Sequence, residues 1–150
     1  MRKFILIIVL AVICNSVMAE WTKWILIQDW NGSPDTALYV SSAASQKTGN
    51  IVKMWHLFDY KFAQPAGGAK YLSEAAQNKY HCKKKKTRAF ISYAFDGNMG
   101  YGKIVVSQKN GKIVFQNKEL IDHSYKNWGS FQQGSTDELL WKIACGESVL

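Results

Sequence analysis

No stretch restricts the fold more tightly than GNIVKMWHLFDYKF, Gly49 to Phe62. Side chains alternate across an extended chain, so Val52, Met54, His56, Phe58 and Tyr60 share one side and Lys53, Trp55, Leu57, Asp59 and Lys61 the other. Both sides carry bulk, and the segment reads as a central strand.

Its neighbours read as shorter strands with turn punctuation. WTKWILIQDW is a first strand rich in bulky and branched residues, and TALYVSS is a second, after the turn residues NGSPD. AQPAGG reads as a loop, leading to a run that ends NKYHCKK. There Tyr80 and Cys82 point one way and Lys79, His81 and Lys83 the other. Lys84 to Thr87 turn the chain into RAFISYAFDG. DGNMGYGK is a glycine-punctuated connection, and no helix-forming segment follows Gly97, Gly100 and Gly102, so they make no phosphate loop. KIVVSQ and KIVFQ, split by KNG, read as a hairpin. Residues Asn117 to Asn127 give no readable pattern.

The period changes at the C-terminus. In STDELLWKIACG, Ser135 can cap a helix with Glu138 reaching back to it, and Gly146 stops it. Leu139, Leu140, Trp141, Ile143 and Ala144 leave only a narrow polar stripe at Glu138 and Lys142, so the helix is expected to be largely buried.

The first residues, MRKFILIIVLAVICNSVMAEW, have the form of a secretory signal: Arg2 and Lys3, an apolar run from Phe4 to Cys14, then small Val17 and Ala19 before Glu20. The expected organisation is a leader over 1–19 and a single domain over 20–150. The expected location is outside the cytoplasm, in the periplasm, on the outer-membrane surface or secreted. Ile13, before Cys14, is not the small residue that lipid attachment needs, and contact with a membrane is expected only through such an anchor. Cleavage leaves Cys82 and Cys145 of the chain's three cysteines. Two cysteines in an exported chain read as one disulfide, which would stabilise the fold by roughly 4 kcal/mol.

The formal charge is +8, and KYHCKKKKTRAF concentrates it. Lys79, Lys83, Lys84, Lys85, Lys86 and Arg88 raise a local positive potential that attracts acidic partners. Basic residues at a hairpin edge also discourage stray strand addition. The titratable residues His56, His81, His123, Asp59, Asp96, Asp122 and Glu119 form no recognisable catalytic or metal-binding set. His56, among apolar residues at strand spacing, reads as a packed histidine. No enzyme activity, cofactor or metal is expected, and export argues against a nucleic-acid partner.

The combination of KMWHLFDY, the GG and Ser73 spacing, YHC, MGYGKIV and WGSFQQGSTDELLWKIAC resembles the surface-adhesin protein E family of Gram-negative bacteria. The likeness covers most of the chain after the leader. Trp128 to Ser135 fits the family's W-x-x-(I/V)-x-P-G-S element, with Gln133 in place of proline. The resemblance implies a mainly β, α+β fold: an antiparallel sheet of about six strands with the C-terminal helix packed across it and tied by Cys82 and Cys145. It also implies adhesion to host extracellular-matrix and serum proteins, in some members as homodimers. The expected partner is a protein or anionic polymer at the cell surface. A second reading is a periplasmic inhibitor or accessory protein of a cell-wall or envelope enzyme, with Asn117 to Asn127 as the inserted loop.

Overall fold

The computed structural model describes residues 23–28, 30–41 and 45–148. The expected leader and Cys14 lie outside them. Nine strands form one antiparallel sheet: β1 (Trp24–Leu26), β2 (Thr36–Ser41), β3 (Gln46–Thr48), β4 (Ile51–Ala66), β5 (Ala69–His81), β6 (Lys86–Phe95), β7 (Ile104–Lys109), β8 (Lys112–Phe115) and β9 (Lys118–Ile121). A single α-helix, α1 (Thr136–Cys145), follows among the described residues. The order across the sheet is β1-β2-β4-β5-β6-β7-β8-β9, with β3 paired to β4 beside β2.

The sheet is larger than the expected six or so strands, and the two that no run announced are short and exposed: β3 is polar, and β9 joins Lys118 and Glu119 to exposed Leu120 and Ile121. Their ladders are held by backbone hydrogen bonds without the alternation of a half-buried strand. The expected loop AQPAGG is also mostly strand. β4 continues to Ala66, a register shift between Asp59 and Gln64 absorbs the irregularity, and only Gly67 and Gly68 turn the chain, at φ of 52° and 99°. At Gly67 a Cβ would stand 2.8 Å from the Phe115 ring, so the turn needs glycine for space as well as conformation.

Asn110 and Gly111 both have positive φ, 52° and 81°, the primed turn that an Asn-Gly pair favours. Gln116 and Asn117 make a second turn of this kind at 45° and 61°, without glycine. The unreadable stretch therefore resolves into the start of a hairpin, strand β9, and a 3-10 turn over His123–Lys126 that Asp122 caps by accepting from the Ser124 N–H. It is not a free-standing loop.

Strand β4 is buried on both sides, as its composition requires. On one side Met54 packs with Leu38, Val40, Tyr80, Leu140 and Trp141, beneath α1. On the other Trp55 and Leu57 pack with Ala75 and Phe95, flanked by Trp24, Tyr39, Ile91, Tyr93 and Met99. The helix covers only the first side.

Ser135 caps α1, its Oγ accepting from the Glu138 N–H at 3.3 Å. Glu138 reaches back one residue further than expected and accepts from the Gly134 N–H. Gly146, at φ 69°, closes the helix, and the Glu147 N–H donates to the Lys142 carbonyl. Only Leu140 and Trp141 are fully covered; the rest of the apolar stripe is half-buried, a shallower burial than its composition suggests. The Cys82–Cys145 disulfide, with Cα atoms 5.6 Å apart, ties the end of α1 to the β5–β6 hairpin. Alongside it the Trp141 indole N–H donates to the His81 carbonyl, and at the other end Trp30 donates to the Thr136 hydroxyl.

Candidate interaction surface

The β5–β6 hairpin closes at the pair His81 and Lys86, so the turn is Cys82 to Lys85, two residues earlier than the sequence suggests. Lys85 sits at φ 50°, and the Lys84 N–H donates to His81 Nδ1 at 3.3 Å, which holds the bend. Lys83, Lys84 and Lys85 are exposed at the tip. Tyr80 is fully buried and Cys82 is joined to Cys145, so the core-facing side of the run agrees with its alternation.

Alternation then separates the six cations of the hairpin. The Lys85 ammonium turns toward the helix side, 5.7 Å from the Trp141 ring centre. Lys79 and Arg88 face each other in register on the side away from α1, and His81 and Lys86 follow two residues on. Strand β4 adds a cation that the sequence did not single out, because Lys53 is the register partner of Lys79. Lys53, Lys79 and Arg88 thus stand in one row across three adjacent strands.

Aromatic rings organise this row. Between the pairs Gln77–Ile91 and Asn78–Ala89, Phe90 is an extra, unpaired residue, a β-bulge. The Lys79 and Lys53 ammonium groups lie 4.0 Å and 5.1 Å from the Phe90 ring centre. The Arg88 guanidinium lies 4.8 Å from the Trp128 ring centre and donates to the Lys126 carbonyl at 3.0 Å. Trp128 also meets the His81 ring nearly edge-on at 5.6 Å. It is carried there by a bridge between Gly129 and Thr87, which extends the sheet past the end of β7. Phe90, two residues after Arg88, shares its side by alternation, whereas Trp128 could not be placed from spacing because it arrives on a crossing segment.

The charge balance is one-sided. The ion pairs among the described residues join Lys61 to Asp35, Lys112 to Glu119 and Lys142 to Glu138, and none includes a cation of the hairpin or row. Like charges directly opposite on neighbouring strands repel. Desolvation, and then the charges of Arg88 and Lys53, hold the Lys79 ammonium below its ordinary pKa.

Other titratable residues lie outside this row, and of them Tyr60, Tyr71 and Glu74 are grouped. His56 is buried beneath the helix side, its ring edge-on to Phe58 at 5.4 Å, and burial pushes its pKa down to about 4. Its Nδ1 has no hydrogen-bond partner, so it is a packed neutral histidine. Burial, reinforced by Glu74, raises the Tyr60 and Tyr71 hydroxyls, and burial raises Glu74 itself. Asp59 and Ser73 serve structure. The Asp59 carboxylate accepts from the Met99 N–H at 2.6 Å, while the Ser73 hydroxyl donates to the Gly97 carbonyl and accepts from the Gly100 N–H, fixing the glycine-rich connection. Among the described residues no group of three or more His, Cys, Asp or Glu side chains is placed to hold a metal, and no helix is long and apolar enough to cross a membrane.

Fold and surface together define a small α+β sheet domain, pinned by one disulfide and carrying a basic hairpin whose cations join no ion pair among the described residues. The chain belongs to the surface-adhesin protein E family, whose model matches residues 24–146. No curated protein matches it. Family membership supports a surface-binding role and an exported location.

Proposed function

We propose that the protein is exported, loses residues 1–19, and acts as a non-enzymatic adhesin-like domain that recognises acidic partners such as host extracellular-matrix proteins. The observation that carries this reading is the β5–β6 hairpin, where Lys83, Lys84 and Lys85 project at a tip pinned by the disulfide and, among the described residues, none of the three is in an ion pair. Exposed cations held on a rigid bend attract an acidic surface and orient the encounter. The inhibitor reading draws less support, because Asn117 to Asn127 is an exposed strand and capped turn.

Binding of the exported protein to immobilised matrix protein tests the proposal, compared with a variant carrying Lys83→Gln, Lys84→Gln, Lys85→Gln and Lys86→Gln. The variant should bind about tenfold more weakly or less, a loss of ~1.4 kcal/mol or more. Equal binding by the two proteins removes the hairpin from the account.

A further inference from the structure

We infer that the row Lys53, Lys79 and Arg88, with Phe90 and Trp128, is a site for a sulfated linear polysaccharide laid across strands β4, β5 and β6. The inference deepens the adhesin reading and rests on it, but it concerns the sheet face beside the tip and not the tip itself.

Three features favour this ligand. Adjacent strands lie ~4.8 Å apart, so the three cations form a straight row spanning ~10 Å, a periodic positive track suited to a chain that carries anions at regular intervals. Edge protection cannot explain the row, because all three strands are interior. β4 is flanked by β2, β3 and β5, and β6 by β5, β7 and the Gly129 bridge. Neighbouring cations in the row repel one another, and a bound polyanion relieves that repulsion.

The same interior position decides against an acidic peptide. A peptide gains affinity on a sheet chiefly by adding a strand to a free edge, where its main-chain groups find partners. On this face the ladders are already paired, so a peptide's amides would lie over side chains with nothing to satisfy them. A polysaccharide has no such obligatory backbone groups. Its sulfates meet the ammonium and guanidinium groups, and its sugar rings lie against Phe90 and Trp128, whose positions are already set by cation contacts.

The test uses a size-fractionated heparin oligosaccharide and the disulfide-intact exported protein, with affinity followed as salt is raised. Wild type should bind, and Lys53→Gln with Lys79→Gln should weaken binding about tenfold and lower the slope of log affinity against log salt by roughly two, one per lost cation. Lys70→Gln with Lys118→Gln removes the same charge from exposed positions elsewhere and should leave affinity within about twofold. In wild type, bound heparin should slow acetylation of Lys53 and Lys79 more than of Lys70 and Lys118, a readout that does not depend on a variant folding. Equal losses in the two double variants, equal protection of all four lysines, or tighter binding of polyglutamate than of heparin overturns the inference. If heparin fails while matrix-protein binding still falls in the hairpin-tip variant, the glycan site is lost and the adhesin reading stands. If the tip variant binds matrix protein as wild type does, the adhesin reading is the one that falls.

Discussion

His56 is the residue at which burial acts most directly on chemistry. Its pKa falls from 6.5 to about 4 because the imidazolium would have to leave water for an apolar site. The unfolded chain accepts a proton as pH drops below about 6.5, whereas the folded protein refuses it until about 4. The stability linked to this group is therefore complete above the upper value and is lost as pH falls through the window, by on the order of 3 kcal/mol. His56→Leu should flatten this part of the stability-versus-pH curve, as followed by urea unfolding at successive pH values. An unchanged slope in the variant would show that other groups cause the acid sensitivity. Alternation within one strand marked His56 as a packed residue, whereas the placement of Lys53 beside Lys79 depended on the register of a different strand.

Among the elements, α1 and the β5–β6 hairpin depend on each other. The cap at Ser135, the stop at Gly146 and the apolar stripe were legible, since each is a local signal within one turn of helix. The depth of burial was not, because it depends on how much of the sheet the helix covers. The disulfide closes a separation of 63 residues, and restricting the unfolded chain over that length is worth roughly 4 kcal/mol. Denaturant unfolding with and without a reductant should show a loss of that order. A reduced protein as stable as the oxidised one would mean that Trp141 and Leu140 hold the helix by packing alone. Turns sort the same way. Asn110-Gly111 announced its hairpin, while Gln116-Asn117 makes a similar bend with residues that seldom occupy it, so β9 stayed hidden.

Over the whole molecule the sheet has two cores, one beneath α1 around Leu140 and one on the opposite side around Leu57. Both leucines are essentially inaccessible, at 1% and 0% exposure. Leu140→Ala and Leu57→Ala should each cost about 2–5 kcal/mol. Because the sheet separates them, the double variant should lose the sum to within about 0.5 kcal/mol by urea unfolding. A clear shortfall or excess would show that the two sides are coupled through β4.

The central strand, the helix with its caps, the cysteine pair and the concentration of cations near Cys82 were all readable along the chain. Each of these rests on neighbours in the chain: alternation, a turn residue, or a cap a few positions away. Which cations share a surface emerged with the folded sheet. It brought Lys53 beside Lys79 and Arg88, carried Trp128 over Arg88, and sent Lys85 to the helix side. The physical reason is that strand register and crossing segments are settled by burial of the two cores and by pairing between distant residues, neither of which leaves a local pattern in the chain.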